Sequence, residues 1–142
     1  MKKEIKRLVV AFLCMVICMS FASCTPKEEV SLWDTAIYTE NTTFGEGEKT
    51  ITLQVEAEER NVTFIIRTDE EILENALVAH ELISGDKGPY GMYVTRVNGI
   101  EADYDENRSF WSLEKDGVQM TTGVSETGVT DGDNFKLVYV IV

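Results

Sequence analysis

The chain has 142 residues, 44% hydrophobic and 27% charged, and its 25 acidic against 13 basic side chains give a net charge of −12. Polyanion binding depends on clustered Lys and Arg that displace counterions, so this acid excess excludes nonspecific nucleic-acid binding and heparin-like partners. One histidine, His80, excludes sites that need two imidazoles, and the apolar content with only 2 prolines excludes a disordered chain.

Residues 1 to 24 have the three parts of a secretory signal. Lys2, Lys3, Lys6 and Arg7 form a basic start, Leu8 to Phe21 is an almost unbroken apolar run of 14 residues, and Phe21-Ala22-Ser23-Cys24 ends it. The run is shorter than the roughly 18 to 20 residues that span a bilayer. Small residues followed by cysteine resemble a bacterial lipobox, with Phe21 in place of the more usual Leu. That resemblance implies cleavage after Ser23 and lipidation of Cys24, which anchors the chain to a membrane of the bacterial cell envelope with its domain outside the cytoplasm. Cys14 and Cys18 then leave with the signal, so no thiol remains for a disulfide or a metal. Removing four bases and one acid takes the net charge to −15. An acidic surface of this kind is repelled by anionic headgroups while acyl chains hold it. Asn41 and Asn61 stand in glycosylation patterns that carry no weight in a bacterium.

Residues 24–48 are polar and turn-forming without a sustained apolar period, and read as a lipidated acidic tether. Trp33, Ile37, Tyr38 and Phe44 are its exceptions; they either pack on the domain or dock a partner. The domain proper is predicted over residues 49–142. Ile51, Leu53, Val55 and Ala57 alternate with polar residues, Val62, Phe64 and Ile66 repeat the pattern, and the polar Glu58 to Asn61 between them predicts an antiparallel hairpin. The period then changes. Thr68 or Asp69 can cap a helix with Glu70 and Glu71 in its first turn; Ile72, Leu73, Ala76, Leu77, His80 and Ile83 recur at helical spacing, and Gly85 is placed to stop it. Strands follow at Met92 to Val97, Ile100 to Tyr104, Phe110 to Glu114 and Val118 to Thr121, with tight turns at Asn98-Gly99 and Asp116-Gly117. Phe135 to Val142 closes the chain; Val138 to Val142 is apolar on both faces, which predicts a central strand covered on each side. This order is α+β: a β-grasp-like mixed sheet packed on one helix.

Asp103 to Asn107 places carboxylates at alternate positions, as a calcium loop does, but Arg108 stands where such a loop needs glycine. The segment reads as a solvated acidic turn, and no metal ligands are assigned. His80, on the apolar side of the helix, reads as a boundary residue. No serine, threonine or lysine has a nucleophile setting such as G-x-S-x-G, so an enzyme is not expected and no cofactor is required.

Aromatic and apolar residues in a Gly-rich stretch remain, chiefly Tyr90, Tyr104, Phe110, Trp111 and Met120. Alternation sends one of Phe110 and Trp111 inward, whereas Tyr90, after Pro89 and between two glycines, is expected to be exposed. The segments Gly88 to Ile100, Ser109 to Leu113, Thr122 to Val124 and Asp131 to Asp133 resemble the C-terminal β domain of the cobalamin carriers transcobalamin and intrinsic factor. The resemblance covers residues 49–142 and matches Phe110-Trp111 and the Pro-aromatic-Gly turn at Tyr90. It implies a noncatalytic surface lipoprotein with a small-ligand module, half of a corrinoid (cobalamin) site that a partner completes. The alternative is a structural or adhesive surface module that binds a protein and no small ligand.

Overall fold

A computed structural model describes residues 28–142; the signal segment and the lipidation site at Cys24 lie outside the described residues. Alternation produces the first hairpin, β2 (Lys49–Ala57) and β3 (Arg60–Thr68). Ile51 faces Ile66, Leu53 faces Phe64 and Val55 faces Val62, all fully buried. The connection is tight: Glu58 and Glu59 lie at φ 51° and 61°, the left-handed pair that a two-residue hairpin turn needs. The predicted turns at Asn98-Gly99 and Asp116-Gly117 share this geometry.

β9 (Asn134–Ile141) lies parallel to β2 and antiparallel to β7 (Ser109–Lys115). The six-stranded mixed sheet runs β1-β3-β2-β9-β7-β8, with β1 (Thr42–Phe44) and β8 (Val118–Gln119) at its edges. One face holds the core, including Leu53, Phe64, Phe135, Leu137 and Trp111. β9 is central as expected, but among the described residues its second face is not fully covered. Val138 and Val140 are half-buried on the opposite face, shielded by their cross-strand neighbours Ser112 and Phe110.

The layer predicted as one long helix is mostly a second sheet. α1 spans only Leu73–Val78. Upstream, Ile72 bridges Gly128, Leu73 N–H donates to the Thr127 carbonyl at 2.9 Å and Val129 N–H to that of Glu71 at 2.9 Å, so residues 71–73 are held extended. Downstream, Glu81 turns left-handed at φ 56°. Ile83 and Gly85, predicted to finish the helix, lie in β4 (Ile83–Gly88), which pairs with β5 (Gly91–Val97) and β6 (Ile100–Glu101) in a three-stranded antiparallel sheet. Gly85 sits at a register shift where a Cβ would strike the Tyr93 carbonyl, so close approach requires glycine there. The architecture is a mixed sheet, a smaller sheet and two short helices. The second helix, α2 (Tyr104–Asn107), takes the acidic turn: Asp103 Oδ1 accepts the N–H groups of Asp105 and Glu106 at 2.9 and 3.0 Å, and Arg108 ends the turn at φ 62°.

Residues 31–48, predicted as most of the tether, form a strap belonging to one compact unit with the rest of the chain to Val142. Ser31 and Asp34 close a capping box on a 3-10 turn at Leu32–Thr35, and Trp33 enters the core at 4% exposure. Its indole N–H donates to the Ala57 carbonyl at 2.9 Å, with the Arg60 guanidinium 4.8 Å from the ring. Asn98, fully buried, receives the Tyr38 N–H at 2.9 Å and donates to the Tyr38 carbonyl at 2.8 Å. Tyr38 and Phe44 then pack on Phe64, and His80 stacks on Phe44 at 5.2 Å, half-buried at the domain boundary.

Candidate ligand-binding groove

The β4–β5 hairpin ends in Gly88-Pro89-Tyr90-Gly91, where Gly88 pairs with Gly91 and the backbone reverses over Pro89 and Tyr90. Nothing packs over a side chain at such a tip, and Tyr90 is 83% exposed. Beneath it lies an open groove of ≈510 Å³, bounded by Tyr90, Met92 and Tyr93 on the hairpin and by Thr121, Thr122 and Glu126 opposite. Among the described residues lining it, Glu126 alone is charged.

The second wall is fastened to the first. Ser125 Oγ accepts the Met92 N–H at 2.8 Å and donates to Glu74 on α1. Gly91, at φ 100°, lies so close to Ser125 that a Cβ there would clash with it. Val124 is buried in the core, and Thr127 Oγ1 donates to the Gly123 carbonyl at 2.8 Å. The groove is thus a preformed aromatic and hydroxyl-lined cleft, suited to covering one face of a flat, partly apolar molecule.

A second, polar groove of ≈310 Å³ lies on the same sheet, with Tyr93 between the two. Asp86, Glu101, Asp103 and Asp105 line it beside Tyr104. Asp103 is committed to capping α2, and among the described residues no three His, Cys, Asp or Glu converge as metal ligands.

The sequence-derived residues do not form one site. Tyr90 lines the first groove, and Tyr104, 42% exposed with Arg108 over its ring at 5.1 Å, lines the second. Trp111 is buried at 8% exposure against Tyr139, Met120 packs partly buried on the core, and Phe110 lies on the opposite sheet face beside Val140. Strand alternation separates the neighbours Phe110 and Trp111. Met92 and Tyr93 read in the sequence as strand framework, yet Tyr93, on the part of β5 that the short β6 does not reach, is 53% exposed.

Residues 70–140 match the family model described as a domain of unknown function (DUF4430). No curated protein matches the chain. A solved structure of a candidate metal-binding protein from Ruminococcus gnavus ATCC 29149 is similar at 33% identity and a TM-score of 0.64, over 67% of this chain and 99% of that one. Haptocorrin in complex with Cbi shares the fold, at 17% identity and a TM-score of 0.54, over 69% of this chain and 26% of its own. The resemblance to the cobalamin carriers therefore holds at the level of the fold, and the chain belongs to the DUF4430 family.

Proposed function

We propose that this protein is a noncatalytic, lipid-anchored ligand-binding module of the bacterial cell surface, and that the Tyr90 groove takes one side of a corrinoid whose other side a partner completes. One observation carries the reading: a fully presented aromatic stands over an open cleft whose walls are locked together by Ser125. The haptocorrin-like fold supports the choice of a corrinoid. A cleft of ≈510 Å³, open to solvent, covers a large planar ligand on one side only, hence the need for a partner.

Titrating the mature protein with cobalamin, followed by corrinoid absorbance, tests this. Tyr90→Ala is expected to leave the melting temperature nearly unchanged and weaken binding by about 1 to 3 kcal/mol, roughly 5- to 150-fold. Binding that survives this change intact would move the recognition surface elsewhere. The adhesive alternative has the open sheet face with Phe110, Val138 and Val140 in its favour. A stable protein partner co-purified without corrinoid would select it. Membrane attachment is tested separately: Cys24→Ala should release the protein from the membrane fraction, because acyl chains supply the strong affinity of so acidic a chain.

A further inference from the structure

The strap fixes where the chain leaves the domain. Glu58, in the β2–β3 turn, accepts both the Ser31 hydroxyl at 2.7 Å and the Leu32 N–H at 3.0 Å, so the N-terminal segment departs from that end of the large sheet. Strand directions bring the end of β9 and the start of β7 to the same place, where Val142 N–H donates to the Arg108 carbonyl at 3.2 Å. This end is apolar. Leu32, Tyr139 and Ile141 line a shallow groove of ≈420 Å³ with Glu58 and Asn107, and Ile141 and Val142 are 65% and 70% exposed.

The Tyr90 groove lies toward the other end of the large sheet, since its second wall, Thr121 to Glu126, follows β8, which pairs with Glu114 and Lys115 at the far end of β7. Ile37 N–H donates to the Asn98 carbonyl at 2.9 Å, which pins the Asn98-Gly99 end of the small sheet to the strap. From there β5 runs its 7 residues, about 20 Å, before reaching Gly91 and the tip.

We propose that the end formed by Leu32, Tyr139, Ile141 and Val142 rests on the lipid surface, and that the Tyr90 groove faces away from it toward incoming ligand or partner. This rests on the anchor at Cys24. Seven residue steps separate Cys24 from Ser31, and whatever path they take they reach at most about 25 Å. A leash that short keeps its own end of the domain beside the bilayer, where exposed Ile and Val are sheltered at the acyl boundary. Arg60 and Arg108 do not cancel Glu58, Glu59, Asp34, Asp105 and Glu106 at this end, so the acyl chains and the exposed apolar side chains, not headgroup attraction, hold it to the lipid.

The acylated mature chain, whose one native thiol is then blocked, is reconstituted in phosphatidylethanolamine–phosphatidylglycerol vesicles containing a headgroup spin label. Fluorophores are placed at Asn61→Cys, near the strap, or Lys87→Cys, near the tip. Quenching several-fold stronger at position 61 is expected, and Ile141→Glu with Val142→Glu should shrink that difference without releasing the protein. Equal quenching, or stronger quenching at position 87, would overturn the orientation while leaving the anchor intact. Finding no acyl group on Cys24 would instead remove the anchor, and the lipid surface with it. Sedimentation of the unacylated chain as a dimer that Ile141→Glu dissociates would assign the apolar end to a second copy and overturn the proposal.

Discussion

Trp33→Ala is expected to lower the unfolding free energy by about 3 to 5 kcal/mol, as measured by urea denaturation of the mature chain. The indole is 4% exposed and seated in the core, so truncation leaves a cavity beside the end of β2. It also strips the buried Ala57 carbonyl of its indole N–H donor. Arg60→Ala is the control: it removes the guanidinium over the ring face and its long, exposed hydrogen bond to the Thr39 carbonyl at 3.4 Å, and should cost about 0.5 to 1 kcal/mol. Limited proteolysis should trim the wild type to a core beginning near Ser31. A loss below about 1 kcal/mol for Trp33→Ala, with cleavage near residue 48, would make residues 31–48 a tether after all.

That strap is legible only in part: Trp33, Tyr38 and Phe44 stand out in the sequence as apolar residues that can pack on the domain, but they follow no helical or strand period, so the segment still reads as a tether. They are placed by partners distant in sequence, such as Ala57 and Asn98, and a window of neighbouring residues does not contain those partners. β2 and β3 were legible for the opposite reason, since one buried face imposes strict alternation. Tight turns also encode their own geometry, and both Asn98-Gly99 and Asp116-Gly117 adopt it.

The apolar spacing runs past the true end of the helix because Ile83 stands three residues after His80 and continues it, while the left-handed turn at Glu81 has no glycine to announce it. β4 leaves no signal in the sequence. Ser84 to Gly88 has no apolar alternation, and its extended form depends on pairing with β5. At the site, Tyr90 was legible because a Pro-aromatic-Gly turn between glycines presents its side chain whatever lies around it. Thr121, Thr122 and Glu126 were not, because only the Ser125–Met92 hydrogen bond brings that loop opposite the hairpin.

Trp111→Ala is expected to cost about 3 to 5 kcal/mol, whereas Trp111→Phe should cost much less. The side chain is 8% exposed, with its ring edge-on to Tyr139 at 5.4 Å, so alanine removes a large buried contact from between β7 and β9. Phenylalanine keeps most of that contact. It also deletes the indole N–H, which is buried without a hydrogen-bond partner among the described residues. Burying an unpaired donor costs about 1 to 3 kcal/mol, so the relief opposes the loss of packing, and the net change should stay within about 1.5 kcal/mol. Denaturation of the two variants side by side separates these contributions. A phenylalanine variant as unstable as the alanine one would mean that the N–H is satisfied in the folded protein. Cobalamin binding by Trp111→Phe, measured where it is fully folded, should match the wild type, because Trp111 faces the core and Tyr90 the groove. A loss of affinity without loss of folded protein would return Trp111 to the ligand contact that its motif suggests.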